Sequence, residues 1–243
     1  MTTTRTSTGK RAPMTSLRKT SLTAGILYLI TFVSIPTLAL YASALAPGYV
    51  AGPGPDTPVL IGGVLEIIVA LAGIGTALAL YPVLRRQNEG VALGFVAART
   101  LEGATIVAGV VALLAVVTLR QAEAGTDALV TGQALVALRE WTTLLGQGFI
   151  PAMNALLLGS LLYQSRLVPR ILPIVGLVGA PLLVASDVGV LFGFWEPVST
   201  VTGLAVIPIA LWEFSLGVWL VAKGFRPSTI TTELAASVGR VTD

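Results

Sequence analysis

The chain contains no cysteine and no histidine in 243 residues. Without cysteine there is no disulfide, no thiolate metal site and no thiol nucleophile. Without histidine the commonest metal ligand and the usual general base are missing. Haem ligation, zinc hydrolysis and a Ser-His-Asp triad each lose a central residue. The phosphate-cradling pattern G-x-x-x-x-G-K-[ST] is absent, and so is a paired-acid D-x-x-D. No cofactor and no metal site are implied. The residues point away from an enzyme, leaving only chemistry that acids could perform alone.

Charge is scarce as well. Asp, Glu, Lys and Arg make up 11% of the chain, against roughly a quarter in ordinary globular proteins. What is abundant is apolar: 54% of residues are hydrophobic, in recurring runs of about 20, the length a helix needs to cross a hydrocarbon core of roughly 30 Å. The fold class is therefore all-α, a polytopic membrane protein whose partner is the lipid bilayer. Six spans are expected, at about residues 22–45, 59–83, 91–119, 141–163, 171–192 and 200–222. They fall within a domain covering 17–226. The first run is too long for the apolar core of a signal peptide and reads as a retained span. Residues 47–55, rich in Pro and Gly, form a loop. Asp56 is expected to supply a capping side chain for the second span, with Pro58 in its first turn.

Outside the spans, residues 1–16 read as a disordered basic tail, and 227–243 as a polar C-terminal tail. The mixed stretch from Arg120 to Glu140 admits two readings. Asp127 caps a helix from Ala128 to Arg139 that either lies on the surface or extends the fourth span. The net charge of +3 does not signal nucleic acid, because the cations sit in tails and short loops. With the N-terminus inside, twelve Lys and Arg residues fall in inner segments and only Arg120 and Arg139 in outer ones. That bias places both termini in the cytoplasm. Trp141 and Trp195 then lie at the outer boundary, with Tyr81 and Tyr163 at the inner one.

Against this apolar background a few polar residues interrupt the spans. Arg99 and Glu102 stand three residues apart, on one face of the third span. At 1.5 Å per residue, Glu102 is about 16 Å from the inner boundary and Glu213 about 20 Å from the outer one. Two layers follow: Glu66, Asp187 and Gln147 outward, and Arg99, Glu102, Asn154 and Glu213 at the centre. Four acids against Arg99 leave a surplus of three carboxylates. Two readings follow from it. In one the cluster is structural, a set of interhelical struts. In the other it is the site of a small transporter for a cation or a proton-coupled solute, since a membrane-embedded carboxylate lacking a counter-charge either stays neutral or binds a cation. Prolines at 36, 151, 173, 181 and 208 fit broken helices. Glycines such as Gly103, Gly109 and Gly176 fit close packing. No oligomeric partner is legible.

Three stretches together, RKTSLTAGILYLITFV opening the first span, ARTLEG in the third and LWEFSLGVWLVAKGF closing the sixth, resemble the bacterial membrane family described as domain of unknown function 4386. The similarity would cover about residues 17–226. It implies a six-helix membrane protein, multi-pass in the bacterial cell membrane. It implies no activity and transfers no catalytic residue.

Overall fold

The computed structural model describes residues 16–122 and 125–232. Regular structure among them is helical. Six stretches are long and apolar enough to cross a membrane: Ser16–Leu40, Thr57–Leu84, Glu89–Gln121, Leu129–Ser165, Ile171–Leu191 and Thr200–Ala222. The protein is a multi-pass helical membrane protein. The expected tail at 1–16 lies outside the described residues, save Ser16, as does 233–243. Within the rest of the expected C-terminal tail, Ser228 and Thr231 form a cap whose hydroxyl-to-backbone bonds start a helical turn, and Ile230 is buried in the core.

Local chemistry decides where each span begins and breaks. The first span is not one continuous helix to residue 45. Helix α1 (Ser16–Ile30) gives way to a 3-10 turn, Thr31–Ser34, and a short helix, α2 (Thr37–Leu40). The hydroxyls of Thr31, Ser34 and Thr37 each bond the carbonyl three residues back, which competes with the helical ladder, and Pro36 cannot donate to it. Helix α3 (Thr57–Leu84) carries Pro58 in its first turn, where a missing N–H costs nothing. The expected cap from Asp56 does not form; its carboxylate is taken by other donors, described below.

Helix α4 (Glu89–Gln121) starts at Asn88, whose side chain accepts from the Val91 N–H at 3.1 Å. The fourth span settles the open question about residues 127–139 against a surface helix. Asp127 lies in a 3-10 turn, Gly125–Ala128, from which the chain runs on without interruption. It passes through α5 (Leu129–Thr143), a π-helical turn at Leu144–Phe149, and α6 (Ile150–Ser165). Within that turn the Ile150 N–H reaches back five residues to the Leu145 carbonyl, and Pro151 then supplies no donor. Helices α7 (Ile171–Leu191) and α8 (Thr200–Ala222) complete the set, the latter opened by a reciprocal Ser199–Thr202 capping box.

Each span packs against its neighbours in the chain, and the sixth returns to the first, so the six close into a ring. Small residues permit the closest approaches. A Cβ on Gly25 would come within 2.8 Å of the Gly217 carbonyl, which brings α1 and α8 into backbone contact. A Cβ on Gly176 would meet the buried Trp212 ring at 2.8 Å. The outer surface is apolar, with Leu71, Val178 and Leu211 exposed, as expected of helices solvated by lipid. The Arg18 guanidinium donates to the last carbonyls of α8. That end of the bundle, with both described chain ends, is called the terminal face; the opposite end, with Asp56 and Arg120, is the distal face.

Candidate functional site

The centre of the ring holds Arg99, buried at 3% exposure. Its Nη1 donates to Glu102 Oε2 at 2.9 Å, and its Nη2 donates to Glu213 Oε1 and to the Tyr28 hydroxyl. The guanidinium also lies over the rings of Tyr28 and Phe95, at 5.2 and 5.8 Å from their centroids. Asn154 donates to Glu102 Oε2 at 2.7 Å. The structure thus brings together Arg99, Glu102, Asn154 and Glu213, from the third, fourth and sixth spans. Two carboxylates share one guanidinium.

A second cluster stands toward the distal face. Arg139 grips Glu66 with both Nη atoms, at 2.8 and 2.6 Å, the forked geometry that suits a carboxylate. The Tyr41 hydroxyl and the Gln147 amide complete the shell, each donating to Glu66 at 3.2 Å. Glu66 therefore accepts four hydrogen bonds, about the full capacity of a carboxylate. Room for the guanidinium comes from Gly109, where a Cβ would lie 2.7 Å from Arg139 Nη1.

Arg139 corrects the sequence reading, which counted it among outer-segment charges. It is buried inside the fourth span. The expected surplus of three carboxylates falls to two, because four acids now face two arginines. Tyr28 and Tyr41 were also missed as members of the clusters. Tyrosine in an apolar run reads as core, and only its partner reveals a polar role. Arg139 had a legible signal: no proline interrupts the chain between Asp127 and Gln147, which favours one helix through that position.

Asp187 stands apart. It is buried, its Oδ2 has no hydrogen-bond partner among the described residues, and no hydrogen bond joins it to Glu66 or Gln147. Its carboxylate lies against Gly148 of the π-helical turn, where a Cβ would come within 2.5 Å of Oδ2. The neighbouring Ser186 hydroxyl is likewise unpartnered, while its carbonyl accepts from the Trp195 indole at 3.1 Å.

Between the two clusters lies a cavity of about 240 Å³, with walls from all six spans. Arg99, Glu102 and Glu213 face it on one side and Glu66 with Gln147 on another; Phe32, Ile35, Ile106, Leu183 and Val206 supply apolar walls. The acids differ in how they meet this space. Glu66 is sealed at 2% side-chain exposure, whereas Glu102 and Glu213 retain 12% and 17%. Glu102 Oε1 and Glu213 Oε2 accept no hydrogen bond from the described residues.

At the distal face Asp56 is bound by Arg120, whose Nε donates to Oδ1 at 2.5 Å and whose Nη2 donates to Oδ2. The Tyr49 hydroxyl at 2.6 Å and the Gln121 amide at 2.8 Å add to it. The Arg120 hydrogen bonds, with help from Tyr49 and Gln121, hold the Asp56 carboxyl well below the usual carboxylate range. Burial, followed by the Asp56 bond, pushes the Tyr49 hydroxyl up to about 12.

Fold and site together define a six-span helical membrane protein with a charge-lined cavity in its interior. The chain belongs to the family described as Domain of unknown function (DUF4386), whose model matches residues 23–224. Comparison with curated proteins and with solved structures found no match.

Proposed function

We propose that this protein binds a small organic ammonium ion inside the membrane and carries it, or a proton in exchange, across the bilayer. The observation that supports this is that Glu102 and Glu213 both line the cavity while Glu102 Oε1 and Glu213 Oε2 have no donor among the described residues. Two carboxylates around the single Arg99 leave one negative charge, and in a low dielectric that charge demands a proton or a cation. An ammonium group carries up to three N–H donors, enough to bridge both oxygens. A cavity of this volume exceeds what a lone metal ion needs, and two oxygens are fewer than hard cations take.

The Glu66–Arg139 pair has a different role: it is a strut. Its charge is balanced and its acceptors are filled, so it has nothing left to offer a solute. We further place the terminal face in the cytoplasm of a bacterial plasma membrane, on the loop arginines and lysines and on the family's provenance.

The test is calorimetric. Purified protein should bind methylammonium, and Glu213→Gln should weaken that binding at least about tenfold, the loss of one charge-assisted contact. Vesicles bearing the parent should carry the same ion or protons, and vesicles bearing the variant should not. A parent that binds and moves none of a broad panel of amines and cations would falsify the proposal and leave both clusters as struts.

A further inference from the structure

The cavity has an edge that points sideways. Along their terminal halves α1 and α8 touch backbone to backbone at Gly25 and Gly217. Beyond Tyr28 the first span changes course: the 3-10 turn Thr31–Ser34 and α2 pack on α3 instead of following α8. A gap therefore opens between spans one and six. Its sill is the edge-to-face pair of Phe32 and Phe214, with ring centroids 5.4 Å apart. Its jambs are Ile35 and Val206, which both line the cavity and are 71% and 45% exposed.

Depth decides what that gap faces. Val206 is six residues into α8, about 9 Å from its distal end, and Glu213 lies a further two turns in. Both positions fall within the hydrocarbon layer of a span of this length. The exposed flanks, Ile35, Leu38 and Val206, are apolar. The opening thus gives onto lipid tails, while the closed cluster of Glu66, Arg139, Tyr41 and Gln147 stands between the cavity and the distal face.

Resting on the proposed function, we infer that the ligand is an amphiphilic amine that enters from the bilayer through the gap between spans one and six. Its ammonium head meets the free oxygens of Glu102 and Glu213. Its hydrocarbon tail lies between Ile35 and Val206 and trails into the lipid. Charge complementarity selects the head, and the apolar jambs select the tail.

Because the chain has no cysteine, a single introduced thiol reports cleanly. Val206→Cys in lipid nanodiscs should react with a membrane-soluble maleimide. Dodecylammonium should slow that reaction at least about fivefold, and methylammonium should not. The protection should vanish when Glu213→Gln is added. Leu204→Cys, exposed on α8, should react at the same rate with or without either amine. If dodecylammonium binds by calorimetry yet leaves Val206→Cys unprotected, lateral entry is wrong while the ammonium site stands. Equal protection by methylammonium would put the head in the gap, which also overturns the inference. If neither amine binds, the ammonium site itself fails. Should Val206→Cys not fold, Ile35→Cys on the opposite jamb gives the same readout.

Discussion

Two of the described arginines, Arg99 and Arg139, are buried in this bundle, and they are used differently. Arg139 meets a single carboxylate with a forked pair of bonds, and Tyr41 and Gln147 fill the acceptors that remain. Arg99 is divided between two carboxylates that line the cavity, each of which keeps an oxygen with no donor among the described residues. The difference teaches that burial of charge in a membrane does not by itself separate structure from function. What separates them is completeness. A balanced and fully bonded pair can only hold helices together, whereas an unbalanced, partly bonded one has capacity for a visitor.

The largest expected effect breaks the closed pair. Arg139→Leu leaves Glu66 buried with two neutral donors and no counter-charge, which should cost about 3–5 kcal/mol. Adding Glu66→Leu removes the orphaned charge and should recover most of that loss, since an apolar replacement of a buried pair is often neutral. Denaturant titration of the purified protein in detergent measures both. If Arg139→Leu is as stable as the parent, the pair is no strut and the contrast between the arginines collapses.

A smaller effect is expected at Asp187, the buried acid that belongs to neither cluster. Gly148→Ala would set a methyl about 2.5 Å from Asp187 Oδ2, so α7 or the π-helical turn must shift, at a typical overpacking cost of about 1–3 kcal/mol. Pairing it with Asp187→Ala should relieve the clash and restore most of the thermal midpoint. If Gly148→Ala alone melts with the parent, the π-helical turn has slack and Asp187 is not packed as described.

Smaller still, in stability, is the change at the open pair. Glu213→Gln keeps a hydrogen bond to Arg99 and leaves Glu102 as its counter-ion, so the midpoint should move by no more than an ordinary interhelical contact, about 0.6 kcal/mol. Ligand affinity should fall instead, as described above. A large loss of stability here would make Glu213 a strut like Glu66.

Much of this was legible in the chain before any coordinates. Six apolar runs with loop cations between them leave little choice of architecture, and Arg99, Glu102 and Glu213 announce themselves by interrupting those runs. The misreadings have a common cause. Arg139 and Asp56 adjoin the ends of the apolar runs legible in the sequence, where hydropathy cannot tell a loop charge from a buried one, so by default each reads as a solvent charge or a cap. Tyr28 and Tyr41 were invisible for the opposite reason, since a tyrosine is apolar enough to pass for core. The break at Thr31–Pro36 was half visible in Pro36. The three hydroxyls that complete it act through backbone bonds that no hydropathy pattern records.

The smallest effect concerns Asp56 at the distal face, a fully bonded cluster like that of Arg139 but set at the membrane boundary. Its folded carboxyl is held below its unfolded value by the Arg120 hydrogen bonds. A depressed carboxylate contributes stability above the unfolded value of about 3.9, and that contribution is lost as pH falls through the folded one. Tyr49 works in the other direction. Burial raises its hydroxyl to about 12, so its contribution is present below about 10 and is lost as pH rises toward the folded value. The cluster should therefore support the loop between the first two spans evenly from about pH 4 to 10. Exchange with lipid-excluded water makes the loop's amide protection the sensitive readout. Asp56→Asn should loosen residues 49–56 at neutral pH, and Tyr49→Phe should remove the alkaline loss while keeping the acid one. Because solvent still screens a part-buried pair at the membrane boundary, neither change should rival the interior substitutions. If Asp56→Asn destabilises as strongly as Arg139→Leu, completeness of bonding outweighs depth in the membrane, and the two closed clusters count as equals.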